Sequence, residues 1–231
     1  MNRVRLLTAL LSLLPLLAHA AGSAFLPSRA QFDALFPERI AFYSYEGFVE
    51  AVRQTPGFAD AGSDVERRQE MAAFLGQIAH ESDQLRAQRE YKRANWDKYC
   101  RADARLACAP GQQYYGRGPI QLSWNYQYKA AGDFLGIDLW SDPDRVARDS
   151  TVAWRTALWY WMTQPGESKQ TSHAAIRSGA GFGATTRAIN GPLECDKPTD
   201  PDAKRKNARR ADFYKHASDL LGVPLLHPLG C

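Results

Sequence analysis

The chain has 231 residues, 45% of them hydrophobic and 23% charged, with a formal net charge of +4. That length can bury one sizeable core, and the composition is that of an ordinary globular protein. So mild a basicity argues against a nucleic-acid binder.

Arg3 and Arg5 precede an apolar run, Leu6 to Leu17, and Ala18-His19-Ala20 supplies a small-residue cleavage pattern. Residues 1–20 therefore read as a secretory signal peptide, its apolar run too short to span a bilayer comfortably, with 21–231 as the mature chain. Losing both arginines lowers the charge to +2. Cys100, Cys108, Cys195 and Cys231 all lie in the exported part, where an oxidising compartment favours disulfides over metal ligands, and none has C-x-x-C spacing. Three connectivities are open, and pairing of sequence neighbours would close one small loop and staple the C-terminus. No His or Cys cluster argues for a metal.

The expected elements are mostly helices. One starts at Ser28 with Phe32, Leu35 and Phe36 inward, and a second starts at Ser44 with Phe48, Ala51 and Val52 on one face, ended by Pro56-Gly57. In the third, Ser63 and Glu66 have capping-box spacing, and Met71, Phe74, Leu75 and Ile78 form one stripe that Glu81 continues. Desolvation and the negative helix end both disfavour an ionised carboxylate at Glu81, as a general acid requires. Glu90, nine positions later, would sit on the opposite face roughly 13 Å further along an unbroken helix. The helix must stop after Glu81 if the two cooperate, and Ser82, Asp83 and Gln84 make a break plausible; otherwise they are two unrelated surface glutamates.

From Glu90 to Gly118 the chain has no helical period and reads as loop with a small hairpin. Tyr114 to Tyr128, YYGRGPIQLSWNYQY, mixes flat rings with amides and hydroxyls, a composition suited to sugar rings, although aromatics near Gly and Pro also pack beneath loops. Helical pattern resumes from Lys129 to Leu135, and from an Asp149 or Ser150 cap to Met162, with Trp154, Ala157, Leu158 and Trp161 as a bulky core stripe. Short pieces follow at Ser172 to Arg177 and before Asn190-Gly191-Pro192. The mixed-charge run Asp196 to Arg210 reads as a solvated loop entering a last helix, Ala203 to Leu221, with Gly222 and Pro224 as stops. One mainly α domain results.

His80-Glu81, Glu90, CAPG at Cys108 to Gly111, YYGRGPIQLSWNY at Tyr114 to Tyr126, AAGDFLGIDL at Ala130 to Leu139, TALWYWMT at Thr156 to Thr163 and INGPLEC at Ile189 to Cys195 resemble the catalytic domain of a family 19 chitinase, bacterial in its compact Glu81 to Glu90 spacing. The resemblance spans nearly the whole mature chain. It implies a lysozyme-like, two-lobed helical domain with a central substrate cleft, and inverting hydrolysis of β-1,4 links between N-acetylglucosamine units without a cofactor. It assigns Glu81 as proton donor, Glu90 as the base and Ser123 as holder of the water, with His80, Gln121, Tyr126, Gln127, Asn190 and Arg210 as substrate-binding residues. It also supports the pairs Cys100 with Cys108 and Cys195 with Cys231.

Two departures stand out. Asp83 and Gln84 occupy positions that are small, often Gly-Gly, in relatives, so the cleft mouth is expected narrower and more negative, with Asp83 acting on Glu81 by like-charge repulsion if it lies close. Gln127 replaces a substrate-contacting asparagine. The expected enzyme is a secreted monomeric endochitinase acting on chitin or chitooligosaccharides, with no nucleic-acid partner and no membrane attachment after leader removal. Peptidoglycan hydrolysis and sugar binding without turnover are the alternatives.

Overall fold

The computed structural model describes residues 23–101 and 106–231, so the expected leader lies outside the described residues. Side-chain caps start most helices where the sequence places them. Ser28 opens α1 (Arg29–Leu35) with a capping box to Gln31, Ser44 opens α2 (Tyr45–Arg53), and Ser63 opens α3 (Asp64–Glu81) with a box to Glu66. Each box satisfies amide donors that a helix start leaves free, and such caps contribute about 1 kcal/mol.

Beyond Glu90 the chain makes a 3₁₀ turn, Arg93–Tyr99. In place of a regular hairpin there are two isolated antiparallel bridges, Arg89 with Arg117 and Arg117 with Leu122. α4 (Asn125–Leu135) begins four residues earlier than its apolar pattern suggests, after Trp124 at φ 72°. The polar-aromatic stretch is thus loop up to Trp124, and its end, Asn125 to Tyr128, is the first turn of a helix. Asp149 caps α5 (Ser150–Thr163), and Thr171 caps α6 (Ser172–Arg177). α7 (Phe182–Glu194) continues past the Asn190-Gly191-Pro192 stop expected for it. The helix kinks at Asn190 (φ −147°, ψ 34°), because Pro192 lacks the amide that would bond back one turn. α8 (Pro201–Leu221) starts at an Asp200 cap and ends at left-handed Gly222.

α3 is the central helix. It is buried all round from Gln69 to Ala79 rather than along the single stripe its spacing suggests. It lies along α8, while α2 packs on α5. The α3–α8 approach is close enough that a Cβ on Gly76 would fall 2.8 Å from Tyr214 Cα, which leaves no room for any side chain there. Trp154 of α5 fills the core, meeting Phe48 edge-on at 5.0 Å, and Phe74 of α3 meets Trp161 at 5.5 Å. The buried side chains of Gln69, Glu70 and Gln77 on this helix are paired. Glu70 accepts from Trp161 Nε1 at 3.0 Å and the Ala59 amide at 3.1 Å.

The C-terminal tail returns across α7, where Phe182 N donates to Leu226 O and Gly183 N to Pro228 O. A Cβ on Gly183 would lie 1.9 Å from Gly230 O, so glycine is required there too. Cys195–Cys231 fastens this tail and Cys100–Cys108 closes the small loop, the pairing expected for both.

Candidate active site

α3 stops at Glu81. Ser82 Oγ donates to Ile78 O at 2.7 Å and accepts from Leu85 N at 2.8 Å, and Asp83, Gln84 and Leu85 then take left-handed φ values of 51°, 58° and 63°. This tight turn ends the helix and sends Leu85 into the core. The conformation is the one glycine adopts freely, at a cost of about 1 kcal/mol for each other residue.

Glu81 opens into a cavity of about 250 Å³ in which it is the one carboxylate. Gln121, Ser123, Trp124 and Gln127 form one wall, and Tyr160, Ile189 and Asn190 the other. An adjoining concavity of about 750 Å³ shares Trp124, Gln127, Ile189 and Asn190 and adds Tyr126, so the two form one cleft between α4 and α7. Tyr126 is 44% exposed, and its ring lies 6.1 Å from that of Trp124 with 24° between planes.

Beneath the cavity lies an ion cluster. Arg210, 1% exposed, donates Nε and Nη2 to the two oxygens of Glu194, each at 2.7 Å, and Nη1 to Gln77 Oε1 at 2.7 Å. Its Nη2 also lies 2.5 Å from Glu81 Oε1. That contact lacks hydrogen-bond alignment and is an ion pair only. Glu194 further accepts from Asn190 Nδ2 at 2.6 Å. Burial pulls the Glu194 carboxyl upward, but the Arg210 guanidinium outweighs it and holds the group below the usual carboxylate range. Arg210, expected to bind substrate, is absent from the cavity lining: buried under Glu81 and fully engaged, it supports the cleft floor. The end of α3 thus carries a buried cation beside Glu81.

His80 also lies outside the cavity lining. Burial, and then the Arg210 charge, push its imidazole from 6.5 down to about 3, so it is neutral at ordinary pH. Because the folded value lies below the unfolded one, the unfolded chain takes up the proton first as pH falls. The neutral-His contribution is therefore whole above pH 6.5 and declines from there down to about 3. His80→Asn should reduce the stability lost between pH 7 and 4.5 by about 2 kcal/mol. Urea denaturation of both proteins at the two pH values measures this, and parallel pH dependence would refute it.

Asp83 does not make the mouth negative. Burial raises it, but hydrogen bonds from Arg86 at 3.0 Å and Arg209 at 2.9 Å prevail and keep it ionised and paired, while Oδ2 accepts from Tyr91 at 3.2 Å. It is absent from the cavity lining.

Glu90 lies on the bridge region, outside the Glu81 cavity. Its amide donates to Gly116 O at 2.8 Å, and its Oε1 accepts from Asn95 Nδ2 at 2.9 Å. Burial and the adjoining Glu90 carboxylate push the Tyr99 phenol up to about 12. Glu90 is not in the lining of the Glu81 cavity. Gln121 lines that cavity and donates Nε2 to Ala87 O and Gly118 O, on either side of the Arg89 to Arg117 bridge. Gln121 thus has its amide nitrogen committed to backbone. Ser123 Oγ donates to Gln121 O at 2.8 Å, which leaves its lone pairs available to a water.

Tyr160 and Glu194 were not singled out by the sequence. Tyr160 sits off the apolar stripe of α5, where its phenol meets Glu81; burial and that carboxylate push it up to about 12. A polar ring off the stripe of a core helix was the available signal. Glu194 had none beyond its place in INGPLEC. Among the described residues no group of three or more His, Cys, Asp or Glu could hold a metal ion.

A family model described as chitinase class I matches residues 29–231. An endochitinase of Phaseolus vulgaris is 38% identical over 234 residues, 88% of this chain and 70% of its own. Chitinase 12 of Oryza sativa subsp. japonica is 38% identical over 245 residues, 91% and 74% of the two chains. Among solved structures, chitinase C from Streptomyces griseus superposes with a TM-score of 0.84 at 44% identity, covering 88% of this chain and 79% of that one. A bacterial family 19 chitinase superposes with a TM-score of 0.83 at 49% identity, covering 88% and 98%.

Proposed function

As a member of glycoside hydrolase family 19, the class I chitinases, this chain is a chitin-hydrolysing enzyme of lysozyme-like fold, and we propose that it is a secreted endochitinase inverting the anomeric centre, with Glu81 as acid and Glu90 as base. The observation that carries the residue assignment is the cavity in which Glu81 is the one carboxylate, faced by the neutral hydroxyl and amide groups of Ser123, Gln127 and Asn190. Such groups orient a water and an N-acetyl substituent without adding charge.

In one displacement, Glu81 gives its proton to the glycosidic oxygen as that bond breaks. Water, held by Ser123 and losing a proton to Glu90, forms the new bond on the opposite face of the sugar. This geometry requires carboxyl groups roughly 6.5 to 9.5 Å apart, against about 5 Å for a retaining enzyme. Arg210 is held bidentately by Glu194 as well as paired with Glu81, so its charge is shared between the two carboxyl groups. Two disulfides support export to an oxidising compartment.

The test is hydrolysis of a soluble N-acetylglucosamine hexamer, with product anomers followed by NMR at early times and peptidoglycan assayed in parallel. The expected products are α-anomers. β-Anomers would refute inversion, and clearing of peptidoglycan alone would refute the substrate. Glu90→Gln should lower kcat by about 10² to 10³-fold. Retention of most of kcat would remove Glu90 from its role.

A further inference from the structure

We propose that Asn95 is a positioning residue that holds Glu90 as an ionised base and directs one of its oxygens at the water, with Lys98 setting the orientation of the Asn95 amide; this rests on Glu90 being the base. Asn95 Nδ2 lies 2.9 Å from Glu90 Oε1, and Lys98 Nζ lies 2.9 Å from Asn95 Oδ1. An ammonium has only donors, so the amide oxygen must face Lys98. The NH₂ group is then the end that meets Glu90, and a donor there selects a carboxylate over a carboxylic acid. The Lys98 charge polarises the amide and strengthens the donation.

Asn95 engages one oxygen only. Glu90 Oε2 is buried and lacks an aligned hydrogen-bond partner, with the Tyr99 phenol as the other donor within reach of the carboxylate. A buried acceptor without an aligned partner calls for a reason, and the reason here is the proton of the attacking water. Asn95 thus engages Oε1 and leaves Oε2 for the reaction.

The 3₁₀ turn carrying Asn95 is itself anchored. Trp96 Nε1 donates to Glu90 O at 3.0 Å, and its indole stacks on Tyr115 at 3.8 Å. Tyr115 in turn lies under the Arg117 guanidinium at 3.6 Å. Arg117 exchanges both backbone hydrogen bonds with Leu122, next to Ser123. The holder of the base and the holder of the water are therefore built on the same bridge. Tyr99, the other titratable group against Glu90, keeps its proton through the assay range with its value near 12.

The experiment is the kcat against pH profile on the hexamer, from pH 3 to 8, for the parent, Asn95→Leu, Lys98→Met and Glu90→Gln. Asn95→Leu keeps the shape and removes the donor. Its acid limb should move up by about one pH unit, with KM within about twofold. Lys98→Met, on an exposed residue, should move the limb in the same direction about half as far. A uniform fall in kcat with the limb unmoved, or no change at all, would overturn the inference. If Asn95→Leu does not fold, the limb of Lys98→Met decides alone. Activity retained in Glu90→Gln would overturn the base assignment and this inference together. Loss in Glu90→Gln with unmoved limbs in the other two overturns this inference only.

Discussion

Glu81→Gln should lower kcat on the hexamer by about 10³ to 10⁴-fold while leaving oligosaccharide affinity within a few-fold of the parent. The substitution keeps size and shape and removes the one proton donor among the carboxyls of the cavity. Binding survives because the cleft walls, with Trp124, Gln127, Ile189 and Asn190, are untouched. The fold also survives, since Arg210 keeps its bidentate bonds to Glu194 and its bond to Gln77. Calorimetric titration with hexamer, a kcat measurement and a melting curve check the three parts. A variant that retains a tenth or more of kcat is incompatible with Glu81 as the acid.

The second large effect is on stability. Arg210→Met replaces a buried guanidinium by an apolar chain of similar length, and leaves the carboxylate of Glu194 in a 4% exposed position with Asn190 as its remaining donor. Removing one partner of a buried ion pair costs about 3 to 5 kcal/mol, because the survivor's desolvation is no longer offset. In a chain of this size that lowers the melting temperature by about 10 °C. Converting Glu194 to Gln as well should recover a large part of the loss, since the buried Glu194 charge is then gone. A single-variant cost below about 1 kcal/mol would mean that the cluster relaxes or admits water, and that Arg210 does not hold the cleft floor. kcat should fall too, because Glu81 would lose its buried neighbour.

These expectations draw on different levels of the molecule. The place of Glu81 at the end of a helix is legible in local pattern, since a capping box, an apolar stripe and a following break all act within one or two turns, whereas its assigned role comes from the family resemblance. The left-handed turn at Asp83, Gln84 and Leu85 shows how that break is made. Arg210 lay in the run Asp196 to Arg210, read as solvated. Its neighbours Lys204, Arg205 and Arg209 are exposed as that reading requires, but Arg210 turns into the α3–α8 contact. No local signal separates one arginine from the others in such a run. Asn95 was equally silent within a stretch without period, and Tyr160 was hidden among the core tryptophans of α5.

The sequence by itself determined most helix starts, which cysteines could pair, that a carboxyl group ends the central helix, and, through its motif blocks, the family. Caps, periodicity and turn residues fix such features because their energies are settled between positions a few residues apart. Only the tertiary structure decided that α3 is buried on every side, that Arg210 lies under Glu81 instead of lining the cleft, and that Asp83 is neutralised by Arg86 and Arg209. Each of these depends on which charges and surfaces helix packing brings within a few ångströms. Burial and Coulomb interactions sum over neighbours in space, and α8 meets α3 from more than a hundred residues away along the chain.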